Sequence, residues 1–253
     1  MPQFLKFLAF DTSTDRMSVA VTDGARNWQH NGPGGAQAST TLIPAILALL
    51  AEAGLALGEL DAIAFGRGPG SFTGLRTACA VAQGLALGAN EGAGLPVLPI
   101  DTLMAVAEEA HFQQFGAAAA AKPFTVTALL DARMDEMYVQ SFEFSGGLCR
   151  SLGECELVRP EDFVPDAAAD LLAGNVFAVY AERLPVNMPT QTEALPTAAA
   201  LLHLAPVLAA AGQCVDAALA LPLYVRDKVA LTTEERERVK AAKLLAEVPP
   251  LSK

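Results

Sequence analysis

Two aspartates, each placed directly after an apolar run, are the first candidates for chemistry in this chain. Asp11 follows the run Phe4–Phe10 and opens a turn of hydroxyl side chains, Thr12–Thr14, while Asp131 follows the run Phe124–Leu130. A carboxylate and hydroxyls at such a turn could coordinate a metal-bound phosphate, and the same residue types are ordinary turn formers. The first turn alone favours the ordinary interpretation, whereas two such turns facing one cleft would make a nucleotide site.

A glycine-rich string, Gly66–Arg76, lies between a predicted strand, Leu60–Phe65, and a predicted helix, Phe72–Gly88. Glycine permits unusual backbone angles and close approach, and a helix N-terminus after such a loop can bind an anion. The string matches neither the dinucleotide-binding fingerprint, nor the P-loop, nor the nucleophile elbow. Two interpretations therefore stay open: an anion-binding loop, or a tight strand-to-helix connection in which Ser71 or Thr73 caps the helix.

Spacings typical of a metal site or a nucleophile are missing from the sequence. The histidines His30, His111 and His203 lie far apart, and no Cys or Ser has a His within a few residues. We therefore expect no metal site and no catalytic residue, although distant residues could still meet, because triads are spatial. The four cysteines lack C-x-x-C spacing, which predicts free thiols and a reducing, cytoplasmic compartment.

The charge balance argues against direct binding of nucleic acid. Seventeen Lys and Arg stand against 28 Asp and Glu, for a formal net charge of −11. An acidic surface repels phosphate backbones, so a partner would have to supply a cationic face. We expect neither a signal peptide nor a membrane span, since the apolar runs are short or interrupted.

The first part of the chain alternates strands and helices in the order β-β-β-α-β-α-β-α. Strands followed by helices predict parallel pairing, and the opening hairpins predict antiparallel pairing. An α/β fold with a mixed five-stranded sheet and helices on both faces satisfies both statements. The predicted strands are Phe4–Phe10, Met17–Val21, Arg26–His30, Leu60–Phe65 and Pro96–Ile100, and the predicted helices are Ser39–Ala53 (capped by Ser39), Phe72–Gly88 and Thr102–Ala110.

The second part opens with the same theme, a strand, an aspartate and a further strand at Met137–Phe144, offset by about 120 residues. It continues with a predicted strand at Val176–Tyr180 and a predicted helix at Thr197–Ala211, which Pro206 would perturb. We therefore predict an N-terminal lobe, residues 1–115, a smaller related lobe, residues 116–226, and a charged tail, residues 227–253, with a solvated helix at Thr232–Lys240.

Several of these segments resemble the TsaB (YeaZ) family, and they occur in the order that this family shows. The string Gly66–Arg76 is the most specific of them. The others are Asp11–Thr14, Ala82–Ala86, Asp131–Met134 with Glu136 and Tyr138, Gly174-Asn175 with Tyr180, and Pro222–Arg226 followed by Val229-Ala230. The resemblance covers most of the chain, from Leu5 to Arg238. It implies an actin-like (ribonuclease H-like) two-lobe fold.

The resemblance also implies a function without catalysis. A TsaB protein acts as a scaffold that dimerises with the catalytic paralogue TsaD and, with the ATPase TsaE, supports formation of threonylcarbamoyladenosine next to the anticodon of ANN-decoding tRNAs. Contact with tRNA would be indirect, and the chain would form a homodimer when alone. The alternatives are an actin-like ATP-binding or ATP-hydrolysing enzyme and a glycoprotease-like peptidase. No cofactor is expected, with ATP or ADP and magnesium at the partner interface as the alternative.

The resemblance places the partner interface on the first two helices and a vestigial nucleotide or phosphate site on the loops. The interface candidates are Leu42, Ile43, Ile46, Leu50, Phe72, Leu75, Arg76, Cys79, Ala82, Gln83 and Ala86. The loop candidates are Asp11, Thr12, Ser13, Gly68, Gly70, Ser71 and Asp131. Two departures bear on catalysis: Ala38–Leu42 lacks the H-x-x-x-H pair of TsaD-like enzymes, and Val176 stands where the middle motif usually has glycine.

Overall fold

A computed structural model describes residues 5–92, 94–116 and 122–226 of the chain. The first sheet has five strands, in the order β3-β2-β1-β4-β5. Strands β1 to β3 form an antiparallel meander, and β1, β4 and β5 pair in parallel. The mixed sheet is therefore confirmed. Its strands are β1 Phe7–Asp11, β2 Arg16–Thr22, β3 Asn27–Pro33, β4 Ala62–Gly68 and β5 Val97–Asp101.

Three helices connect or follow these strands: α1 Ala38–Ala53, α2 Phe72–Gly88 and α3 Thr102–Phe115. Helix α1 ends as predicted, because Gly54 adopts a left-handed conformation (φ 68°) and donates its N–H to the Ala51 carbonyl. The predicted caps were wrong. The hydroxyl of Ser39 donates backwards to the Ala36 carbonyl, and the side chain of Ser71 makes no capping hydrogen bond at the start of α2, while Thr73 lies inside the helix.

The second sheet has the order β11-β10-β6-β7-β8, and β9 pairs with β7. The predicted hairpin is confirmed as an antiparallel pair of β6 and β7, and β10 joins β6 in parallel. The strands are β6 Phe124–Asp131, β7 Met137–Ser145, β8 Leu148–Ser151, β9 Glu156–Val158, β10 Leu171–Gly174 and β11 Gln191–Glu193.

Two helices complete the second part, α4 Phe177–Tyr180 and α5 Ala198–Ala210. The strand predicted at Val176–Tyr180 was therefore wrong: β10 already ends at Gly174, and the short apolar run after it turns into one helical turn. Helix α5 accommodates Pro206 without a break, and Thr197 caps its start by accepting a hydrogen bond from the Ala200 N–H at 3.1 Å.

The helices form layers around the two sheets. Helices α1 and α2 pack against one face of the first sheet, and α5 packs against its other face. Helix α3 packs against the second sheet and contacts α5, so α3 and α5 lie between the sheets. This is the actin-like two-lobe arrangement that the resemblance implied. The lobe boundaries at residues 115 and 226 stay predictions, and the tail with its predicted helix lies outside the described residues.

One helical stretch within the described ranges, Gly35–Ala53, is long and apolar enough to cross a membrane by length and composition, although the sequence analysis expected none. Its inward side chains, among them Leu42, Ile46 and Leu49, are buried in the cluster that joins α1 to the first sheet. A core helix of a folded domain passes the same test, and these contacts account for the apolar composition of one side of α1.

Candidate functional site

The turn after β1 is built around a fully buried carboxylate. Oδ1 of Asp11 accepts hydrogen bonds from the N–H (2.8 Å) and the hydroxyl (2.7 Å) of Ser13, an arrangement that closes a tight Asx-type turn. Oδ2 is buried and has no hydrogen-bond partner among the described residues. Burial raises the pKa of Asp11 to about 6, against the lowering effect of the two Ser13 hydrogen bonds. Asp11 therefore points into the protein.

The glycine string packs directly against this turn. A Cβ at Gly66 would overlap the Asp11 carboxylate, one at Gly74 would overlap the Thr12 carbonyl, and one at Gly70 would lie 2.7 Å from Ser13. Two hydrogen bonds join the same segments: the Ser71 N–H donates to the Ser13 carbonyl at 2.7 Å, and the Thr12 hydroxyl donates to the Gly74 carbonyl at 2.7 Å. The glycine string is therefore a tight strand-to-helix connection that packs closely against the first aspartate turn, which was one of the two interpretations that the sequence left open.

This packing bears on whether a nucleotide phosphate fits between the two loops. Phosphate cradles in such loops use free backbone N–H groups and space next to glycine. Here the N–H groups of Ser13 and Ser71 already donate to acceptors within the chain, and the space beside Gly70 is filled by Ser13. These contacts occupy two N–H donors and the space beside Gly70, which argues against a phosphate between the two loops. The phosphate role of Asp11, Thr12 and Gly70 stays a prediction.

The second aspartate turn has a different construction. Oδ1 of Asp131 accepts from the Tyr180 hydroxyl (2.8 Å) and the Arg133 N–H (2.8 Å), and the Asp131 N–H donates to Oδ1 of Asn175. Burial, followed by the hydrogen bond to Asp131, raises the pKa of Tyr180 above its ordinary value. The middle motif noted in the sequence, Gly174-Asn175 with Tyr180, is thus the support of this turn.

Three consecutive residues of this turn, Arg133, Met134 and Asp135, adopt positive φ angles between 57° and 61°. Non-glycine residues rarely do so, and each costs on the order of 1 kcal/mol or more unless the surroundings hold it. The side chain of Arg226 supplies that hold: it pairs with Glu136 at 2.6 Å and donates to the carbonyls of Ala132 and Arg133 at 3.2 Å.

A cleft of about 830 Å³ separates the two turns. Ser13, Gly70, Ser71 and Asp131 line it, whereas Asp11, Thr12 and Gly68 do not reach it. The predicted loop residues are thus brought to one region of the fold, but only some of them face the open space. Within the described part of the chain, no group of three or more His, Cys, Asp or Glu side chains is placed to hold a metal ion.

A C-terminal segment, Leu223–Arg226, closes one side of the cleft. The Leu223 N–H donates to the Arg67 carbonyl at 2.7 Å, and the ring of Tyr224 packs on Phe72 with a centroid separation of 5.4 Å. This segment is part of the motif Pro222–Arg226, whose position in the fold was not predictable from its residues. It links the glycine string to the second aspartate turn, because Arg226 holds that turn.

The residues proposed for a partner interface divide into two groups. Ile43 and Arg76 are exposed and Phe72 and Gln83 are half-buried, so these four can be reached from outside. The other seven are buried in the N-terminal lobe, which corrects the choice of helix face, because side chains packed against the sheet cannot contact a partner in this conformation. They are Leu42, Ile46, Leu50, Leu75, Cys79, Ala82 and Ala86.

The outward side of the same helices carries a different set of apolar residues. Ile43 and Leu47 on α1 and Leu87 on α2 are 45%, 56% and 58% exposed, and Ala80 and Gly84 on α2 are exposed as well. We call these five residues the α1–α2 stripe. A Cβ at Gly84 would meet no atom within 4 Å, so this glycine is not required by packing within the chain. Of these five residues, only Ile43 was among those predicted for the interface.

Comparison with known proteins gives a consistent result. The family model described as TsaD, tRNA N6-adenosine threonylcarbamoyltransferase, matches residues 33–246. The tRNA threonylcarbamoyladenosine biosynthesis protein TsaB of Haemophilus influenzae is 34% identical over 90% of this chain and 96% of its own length. Its counterpart in Escherichia coli is 31% identical over 89% of this chain and 96% of its own length.

A solved structure agrees with the sequence relatives. YeaZ from Pseudomonas aeruginosa superposes with a TM-score of 0.77 and 39% identity, covering 87% of this chain and all of that one. The identity and the coverage exceed what a shared fold alone would require. The chain therefore belongs to the TsaB (YeaZ) family, within the wider group that the TsaD family model describes.

Proposed function

We propose that this protein is a non-catalytic subunit in the formation of threonylcarbamoyladenosine on tRNA, and that it binds a TsaD-type subunit through the α1–α2 stripe. The observation that carries the proposal is the exposed apolar stripe itself: Ile43, Leu47 and Leu87 are each about half exposed on neighbouring helices. The names of the relatives, which are tRNA threonylcarbamoyladenosine biosynthesis proteins, supply the pathway.

The stripe suits contact with another helix. Ile43 and Leu47 are four residues apart on α1, and Ala80 and Gly84 are four apart on α2, so each pair lies on one side of its helix. Small residues at that spacing let a second helix approach closely, and the larger side chains beside them can interlock with it. When the partner is absent, the same surface favours pairing with a second copy, and we therefore propose a homodimer for the isolated chain.

Charge supports an indirect contact with tRNA. With a net charge of −11 the chain repels a phosphate backbone, so the partner supplies the tRNA surface, and TsaE joins the assembly as the second proposed partner. The proposed setting is the cytoplasm. The filled space between the first aspartate turn and the glycine string disfavours the rival function, an ATP-binding or ATP-hydrolysing enzyme, and supports a subunit that needs no cofactor.

The decisive experiment compares two leucine substitutions of nearly equal exposure. Leu47 in the stripe is 56% exposed, and Leu152, in the turn after β8, is 54% exposed. Either one replaced by glutamate should change the free energy of unfolding by less than about 0.5 kcal/mol, since both side chains already meet water. In a complex, Leu47→Glu would bury an unpaired charge, which costs about 3 kcal/mol or more and weakens binding about 100-fold.

The assay is co-elution and titration of the purified chain with the TsaD-type subunit from the same organism. Wild type and Leu152→Glu should bind equally and should both support threonylcarbamoyladenosine formation on tRNA in a reconstituted reaction, while Leu47→Glu should lose both. Equal binding by Leu47→Glu would remove the stripe from the interface. Binding of ATP with magnesium by the isolated chain, measured by calorimetry, would favour the rival function.

A further inference from the structure

A cavity of about 310 Å³ lies between α3, α5 and the turn that joins β7 to β8. None of its lining residues lines the inter-lobe cleft, so the two spaces are separate. Helix α3 contributes Glu108, His111 and Phe112, and α5 contributes His203 and Val207. Residues three and four apart share a helix side, which is why each helix presents its set to one space.

A carboxylate and two imidazole nitrogens give this cavity its polar lining. The Glu108 carboxylate is 14% exposed, and its Oε1 lies 3.3 Å from Nδ1 of His203 without the geometry of a hydrogen bond. Nδ1 of His203 and Nε2 of His111 are both buried with no partner in the part of the chain that is described. Burial lowers the pKa of His111, so that imidazole is neutral at pH 7 and carries one acceptor nitrogen.

The apolar walls of the cavity are largely aromatic. The ring of His111 stacks on Phe144 with centroids 4.2 Å apart and planes 7° apart, and Phe112 lies 4.5 Å from His203. Aromatic faces attract cations, and Glu108 adds a full negative charge. Among the described residues that line the space there is no Lys or Arg. An anion would therefore be repelled by Glu108, and a cation would be attracted to it.

We propose that this cavity binds a small organic cation, an ammonium or amidinium group carried on an apolar body. The cationic N–H groups would donate to the Glu108 carboxylate, and the apolar body would lie along Phe112 and Val207. The volume stands at the lower end of the range for small-molecule sites, about 300–1,000 Å³, which sets the size of the ligand. The inference does not depend on the partner proposal, since it uses other residues.

The test uses benzamidine as the probe and benzoate as a probe of the same shape and opposite charge. Heteronuclear NMR titration of the full chain should show saturable shifts at the α3 and α5 amides with benzamidine, and affinity at least tenfold weaker for benzoate. Two variants address the site: Glu108→Gln removes the charge, and Val207→Trp fills the rim, where Val207 is 40% exposed. Glu182→Gln, an exposed carboxylate outside the cavity, is the matched control.

Wild type and Glu182→Gln should bind benzamidine equally well. Binding should be at least tenfold weaker in Glu108→Gln and absent in Val207→Trp, and thermal unfolding should be the same for all four proteins. Each departure from this pattern overturns the proposal. Shifts absent at 10 mM probe, on the order of the weakest specific affinities, would show that the cavity is not a ligand site. Equal binding of benzoate, or full binding by Glu108→Gln, would show that charge does not select the ligand.

Discussion

Replacing Asp11 by asparagine tests whether ionisation of the buried Asp11 carboxyl lowers the free energy of unfolding. Burial raises the pKa of Asp11 from 3.8 to about 6, so the folded protein holds the proton more tightly than the unfolded chain does. The stabilising contribution of the protonated form is complete below pH 3.8 and is lost as the pH rises through 6. The difference of about 2 pKa units corresponds to about 3 kcal/mol at neutral pH.

Asparagine keeps the carbonyl oxygen that accepts from Ser13 and removes the charge. We therefore expect the stability of Asp11→Asn relative to wild type to improve as the pH rises. Between pH 5 and pH 7.5 the free energy of unfolding of Asp11→Asn should rise by about 1.4 kcal/mol relative to that of the wild type. This is the part of the roughly 3 kcal/mol that the wild type still loses above pH 5. This pH range lies above the isoelectric point of about 4.7. At the isoelectric point the protein carries little net charge and would tend to associate.

The assay is urea denaturation of both proteins at half-unit steps of pH, read as the difference between their free energies of unfolding. Other titrating groups are common to both proteins and cancel in that difference. Asp15→Asn, which removes an exposed carboxylate at the same turn, serves as the control for a change of charge at the surface. A flat profile for Asp11→Asn would refute the argument that the carboxylate is buried and poorly solvated.

Two further predictions concern backbone packing and the second aspartate turn. Gly74→Ala should lower the free energy of unfolding by more than about 2 kcal/mol, because the new methyl group overlaps a backbone carbonyl. Gly84→Ala in the same helix should raise the free energy of unfolding by up to about 1 kcal/mol, because the new methyl group meets no atom. Urea denaturation measures both values, and equal effects would contradict the close packing at Gly74. Tyr180→Phe removes the hydroxyl that donates to Asp131, and it should lower the free energy of unfolding by about 2 kcal/mol in thermal denaturation. The control Tyr224→Phe removes a hydroxyl at the surface and should lower it by less than about 0.5 kcal/mol. If Tyr180→Phe destabilises the protein no more than the control does, the Tyr180 hydroxyl does not support the second aspartate turn.

The element order was predictable because local signals agreed with the tertiary structure. Alternating apolar runs and turn residues marked the hairpins, and helix α2 was predicted at its observed bounds, Phe72–Gly88. The glycine string was also informative, since several glycines within a few residues indicate close backbone approach. What the sequence could not say was which backbone came close. Only the structure shows that Asp11, Thr12 and Ser13 fill the spaces beside those glycines.

Seven of the residues predicted for the interface are buried, and the sequence could not show this for a physical reason. Helix α2 has small or apolar residues on both sides, so periodicity does not distinguish the side that packs on the sheet from the side that meets water. Leu75 and Ala82 were chosen for the interface and are buried, whereas Ala80 and Leu87 were passed over and are exposed. The cavity between α3 and α5 was also out of reach, because its polar residues come from segments about 90 positions apart and meet only through tertiary packing.

If the α1–α2 stripe is the partner interface that we propose, the inner side of α2 serves stability and its outer side serves recognition. On the inner side Gly74 has no room for a side chain and anchors the helix to the first aspartate turn, and on the outer side Gly84 has room that the fold leaves unused. A fold that needed only a stable helix would favour alanine at position 84, because alanine is about 1 kcal/mol better there. Glycine at that position makes sense if another backbone approaches the stripe, and Gly84→Ala should then make the chain more stable and the complex weaker at the same time.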